Sequence, residues 1–151
     1  METKQYRFNR KTGKIYLVGN ELNDVGSSLK MIILWASTPV FAKPFAHLPI
    51  QYWVQLTFLD IQGNWCYGLL NSGATDALVP WFEYKHQVES NALQLCGLIT
   101  TMSLTKIECE NEYFDYSFSG VKGKPGLEER MKQLIQNNSD LLVDTSLNLV
   151  R

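Results

Sequence analysis

Long apolar runs are missing from this 151-residue chain, as are most of the residues that make chemistry conspicuous. The longest continuous apolar stretch that draws attention, Met31 to Ala36, is the size of a strand. It falls far short of the roughly 20 residues that cross a bilayer. The opening Met1-Glu2-Thr3-Lys4-Gln5 leads into Tyr6-Arg7-Phe8 without the apolar centre of a signal peptide. The expectation is a soluble, cytoplasmic chain with no membrane partner. Cysteine is scarce: Cys66, Cys96 and Cys109 lie far apart and contain no CxxC, which argues against a zinc site or a disulfide framework. Reduced thiols packed as small hydrophobes are the expectation instead. Only two histidines are present, His47 and His86, remote from each other and from any acidic pair, so no metal site is readable along the chain.

Catalytic signatures are absent as well. The chain has no GxSxG, no phosphate-cradling GxxxxGK[ST], no GxGxxG after a strand and no HExxH. No enzyme activity is expected and no cofactor is indicated. A net charge of −1 rules out a globally basic nucleic-acid binder. The distribution says more. Five of the 14 basic residues, Lys4, Arg7, Arg10, Lys11 and Lys14, fall within the first fourteen positions against the single acid Glu2, which leaves the remainder net acidic. Such a basic leading segment suits contact with phosphates, and equally suits the solvated face of a strand pair.

What the sequence does have is a folded composition, 45% apolar and 19% charged, at the length of one ordinary domain. Its densest feature is an aromatic hairpin over 50–70. Tyr52 to Leu59 is rich in aromatic and β-branched residues, Asp60-Ile61-Gln62-Gly63-Asn64 supplies the turn, and Trp65 to Leu70 returns. Alternation puts Tyr52, Val54, Leu56 and Phe58 on one face and Trp53, Gln55 and Thr57 on the other. A tryptophan on the more polar face is a candidate binding platform.

Around that hairpin, Tyr6-Arg7-Phe8 and Ile15 to Val18 read as an N-terminal hairpin turning at Lys11-Thr12-Gly13-Lys14. Gly19 to Ser28 reads as a connection and Leu29 to Ser37 as a buried strand. Pro39, Pro44 and Pro49 make residues 38–49 a rigid extended loop. The spacing of Trp81, Tyr84, Lys85 and Val88 predicts a helix over 79–90, capped by Thr75 or Asp76, with Pro80 in its first turn. A hairpin follows, with strands near Leu98–Cys109 and Tyr113–Ser119 joined by an acidic turn at Glu110-Asn111-Glu112. Leu127, Met131, Leu134 and Ile135 then mark an amphipathic helix ending at Asn137-Asn138. There Glu128 and Glu129 favour the positive helix end, and Arg130 and Lys132 suit a solvated face. The tail from Leu141 to Arg151 has enough Leu and Val to dock.

From residue 29 onward the order is strand, proline-bearing loop, hairpin, helix, hairpin. That order resembles the oligonucleotide/oligosaccharide-binding (OB) barrel, in which a helix joins the third and fourth of five strands. The resemblance implies a β-rich α+β fold: a small OB-like Greek-key barrel over 29–120, with a basic N-terminal hairpin and connection at 1–28 and a C-terminal amphipathic helix and tail at 121–151. The whole of 1–151 is expected to form a single domain. The resemblance further implies non-catalytic binding of single-stranded DNA or RNA, with bases stacked on Trp53, and on Trp65 and Tyr67 if the return strand keeps Cys66 and Gly68 inward; the alternative for Trp65 and Tyr67 is core packing, the commoner fate of such a hairpin. Phosphates would be held by Arg7, Arg10, Lys11, Lys14, Lys43 and Lys106. The alternative is a protein-interaction or assembly subunit using the same aromatic face or the C-terminal helix, with no nucleic-acid contact. A third reading comes from Leu69-Leu70-Asn71-Ser72-Gly73-Ala74-Thr75, which resembles the active-site segment of retroviral-type aspartic proteases. Asn71 stands where that family has its catalytic aspartate, which implies an inactive domain, since an amide cannot take part in the shared-proton chemistry.

Overall fold

The computed structural model describes residues 3–73, 76–107 and 113–142. The chain folds as a β-rich α+β unit whose sheet curls into a half-barrel. The N-terminal strands are β1 (Lys4–Asn9), β2 (Lys14–Val18) and β3 (Leu22–Asp24). β4 (Ser28–Ala36) and β5 (Val40–Ala42) lead to the aromatic hairpin of β6 (Gln51–Leu59) and β7 (Trp65–Asn71). Helix α1 (Val79–Ser90) precedes a second hairpin, β8 (Leu98–Ile107) and β9 (Tyr113–Lys122), and α2 (Leu127–Asn137) and α3 (Ser139–Leu142) complete the described chain. The expected acidic turn at 108–112, Cys109, the Thr75 cap and the tail beyond 142 lie outside the described residues.

The sheet runs β3-β2-β1-β7-β6-β4-β8-β9, with β5 also paired to β6. All described pairings are antiparallel except β1 with β7, where Lys4 faces Cys66 and Gln5 faces Tyr67. The N-terminal hairpin therefore stands between the two ends of the curled core sheet. On its far side the Phe114 amide donates to the Arg10 carbonyl at 2.8 Å, and Arg10 Nε donates back to the Phe114 carbonyl at 3.0 Å.

Strand alternation fills the inside of the curl. Val54, Leu56 and Phe58 of β6, Met31 and Ile33 of β4, Cys66 and Leu70 of β7, and Met102 and Leu104 of β8 share one buried cluster. Tyr6 and Ile15 from the N-terminal hairpin and Trp81, Tyr84 and Val88 of α1 complete it. The helix bounds match the sequence expectation, but its cap does not: Leu78 occupies the N-cap without a side-chain bond, and the Val79 amide donates to the Asp76 carbonyl at 3.1 Å. Pro80 sits in the first turn, where its missing N–H costs nothing.

The outer face of the central hairpin departs from the sequence expectation. Leu142 and the α2 side chains Met131, Leu134 and Ile135 cover Trp65, Leu59 and Leu34. Val40, Phe45 and Leu48 from the proline-bearing segment cover Trp53 and Leu69. Gln55 and Thr57 are consequently enclosed, and Gln55 Nε2 donates to Thr57 Oγ1 at 3.2 Å. Two three-residue strands, β3 and β5, also form where connections were expected. Both exist because a neighbour offers a ladder, β2 for one and β6 for the other.

Candidate nucleic-acid interface

Trp53 and Trp65 are corrections to the expected platform. Each keeps under 5% of its surface exposed, so neither offers an open stacking face. Parity placed Trp53 on the outer face correctly, but the loop carrying Phe45 and Leu48 folds over it. Its indole Nε1 donates to the Ala42 carbonyl at 3.1 Å, which satisfies the one polar atom that burial would otherwise strand. Trp65 lies beneath the C-terminal helices. Tyr67 is half-buried, and its hydroxyl donates to Gln5 Oε1 at 3.4 Å.

A groove of about 930 Å³ opens beside the buried indole, between the N-terminal hairpin and the 38–50 segment. Its walls include the cations Arg7, Arg10 and Lys11, the rings of Tyr6, Phe8, Tyr16, Phe45, Trp53 and Tyr113, and the amides Gln5, Asn9 and Asn71. No carboxylate lines it among the described residues. Four of the nine residues expected at a nucleic-acid site thus meet here: Arg7, Arg10, Lys11 and Trp53. Five do not. Lys14 pairs with Asp24 at 3.9 Å, Lys43 and Lys106 are exposed outside the lining, and Trp65 and Tyr67 stand elsewhere on β7.

The three cations are not equivalent. Arg10 is tied into the fold by the Phe114 carbonyl, by Asp115 at 3.8 Å and by the faces of Tyr113 and Tyr116. Burial raises the Asp115 carboxyl above its ordinary range, opposed by the Arg10 charge and the Tyr116 amide. Arg7 is exposed with its guanidinium over the Phe45 ring, 5.2 Å from the centroid. Lys11 is exposed at the hairpin turn, whose backbone is fixed by Asn9 Oδ1 accepting from the Lys11 and Thr12 amides at 2.9 and 3.1 Å. Arg7 and Lys11 are therefore the cations available to a ligand.

Phe45, His47, Tyr16 and Tyr113 belong to the groove and were not singled out from the sequence. Phe45 had a readable signal: an aromatic ring held between Pro44 and Pro49 is preorganised, and the Leu48 amide closes the turn onto the Phe45 carbonyl at 3.2 Å. Asn71 lines the groove and joins neighbouring strands. Its side-chain oxygen accepts from the Tyr116 hydroxyl at 2.7 Å and its amide nitrogen donates to Gln51 Oε1 at 3.2 Å. Cys66 and Cys96 are free and buried, as expected of core thiols. Burial, and then the Asp60 charge, push Cys66 up to about 12, so it is no nucleophile at neutral pH. Among the described residues no group of His, Cys, Asp and Glu is placed to hold a metal ion, and no helix is long and apolar enough to cross a membrane. Comparison with family models, curated proteins and solved structures returns no match for this chain.

Proposed function

We propose that the chain binds single-stranded DNA or RNA, without catalysis, in the groove between its N-terminal hairpin and the 38–50 segment. The observation that carries this reading is the lining itself: cationic and aromatic side chains together, with no described carboxylate to repel a phosphate. Single strands are held by this pairing, rings or guanidinium planes for bases and point charges for the backbone. The element order lends support. The five strands β4, β6, β7, β8 and β9 are neighbours in one sheet, and α1 joins the third of them to the fourth, as in an OB-like Greek-key barrel.

A labelled short oligonucleotide titrated at several salt concentrations tests the reading. With two available cations, log affinity falls against log salt with a slope of about −1.4. A flat titration at low salt overturns nucleic-acid binding. The protein-interaction reading then takes its place, favoured by a separate observation: Phe41 and Tyr52 pair across β5 and β6 with ring centroids 5.0 Å apart, and both are at least half exposed. Exposed paired aromatics of this kind suit a protein partner.

A further inference from the structure

We infer that Arg7 and Phe45 form a composite stacking step in the groove, the guanidinium plane being the surface on which one nucleobase lies. This rests on the nucleic-acid reading above and names the residues that would distinguish a base from a bare phosphate. Three planar groups follow one another from the interior outward. The Trp53 indole is pinned by its bond to the Ala42 carbonyl. The Phe45 ring meets it with centroids 5.5 Å apart. The Arg7 guanidinium then lies over Phe45 at 5.2 Å.

The terminal plane is the one that meets solvent, because Arg7 is exposed while Trp53 is sealed. A guanidinium plane offers a face for stacking and an N–H edge for a phosphate oxygen. The supporting ring is held by a turn closed by the Leu48 amide and by packing against Trp53. Arg10 cannot take this part, being held by the Phe114 carbonyl and Asp115. Lysine at position 7 keeps the charge and loses the plane.

Arg7→Lys, Arg7→Ala and Phe45→Leu, each first shown to melt like the wild type, are titrated with a single-stranded octanucleotide at three salt concentrations. Arg7→Lys is expected to bind about fivefold or more weakly with an unchanged salt slope. Arg7→Ala loses that affinity and also about 0.7 of the slope. Phe45→Leu reproduces the lysine variant by removing the support. Lysine binding as tightly as arginine overturns the stacking step, for Arg7 would then be a counter-charge alone. Wild-type protein that ignores the oligonucleotide overturns the underlying reading instead. A free mononucleotide that binds as tightly as the octamer overturns a strand as the source of the base.

Discussion

Asp60 is a carboxylate kept ionised inside a turn. Its Oδ1 accepts from the Gln62 and Asn64 amides, both at 2.9 Å, and Asn64 Nδ2 reaches its Oδ2 at 3.0 Å. Burial on its own raises such a group. The Asn64 and Gln62 hydrogen bonds and the Lys4 charge outweigh burial and bring Asp60 below its ordinary 3.8. These bonds set the turn that brings Trp65 back beside Leu59. Asp60→Ala should therefore lose about 1.5–3 kcal/mol at neutral pH, the range for hydrogen bonds to a charged group. A carboxyl depressed by folding contributes stability that is present above its unfolded value and lost as pH falls through its folded one. The gap between the variant and the wild type in urea unfolding should accordingly narrow below pH 3.8. A gap that stays constant with pH would show that the charge contributes nothing to the turn.

Gly13 governs how one whole element seats. Its φ of +70° is open to glycine at little cost, and a Cβ there would meet the Phe114 ring at 2.4 Å. The N-terminal hairpin can approach β9 only because that side chain is missing. Gly13→Ala should cost more than about 1 kcal/mol, since the backbone is unsuited to alanine and the ring must move. The thermal midpoint should fall by about 3 °C or more, and an unchanged melt would mean that the hairpin tip is not held against β9. This turn was legible in the sequence, as were α1 and α2, because glycine, proline and helical spacing are local signals. β5 was not: Val40–Ala42 lies between Pro39 and Pro44, and only its ladder to Gln51–Trp53 makes it a strand. The Leu78 cap was hidden for a related reason. Burial of Trp81, Tyr84 and Val88 positions the helix start without help from a capping side chain.

At the scale of the molecule, the open question is what joins the two ends of a curled sheet. β7 and β9 are bridged by side chains where Tyr116 meets Asn71, and elsewhere by the N-terminal hairpin. Here sequence reading ran out. It recognised a basic hairpin and a barrel-like order, but five strands, β2 to β6, intervene along the chain between Lys4 and Cys66, and no local pattern announces a parallel match. The same blindness hid the groove. Whether Trp53 faces water depends on a loop folding back over it, while the groove takes Arg7 from the N-terminal hairpin, Phe45 from that loop and Tyr113 from β9. If the hairpin is structural and not an appended arm, removing residues 1–26 must do more than remove one wall of the groove. Tyr6 and Ile15 leave the central cluster, the β7 edge at Cys66 and Tyr67 loses its partner, and the Phe114 amide and carbonyl lose Arg10. Each buried apolar side chain lost removes about 1.5–3 kcal/mol, a large share of the 5–15 kcal/mol that holds a domain together. The truncated chain should show no cooperative melt and should bind a hydrophobic dye. A truncated chain that melts cooperatively near the wild-type midpoint would make the hairpin an accessory, and the groove a surface formed by docking.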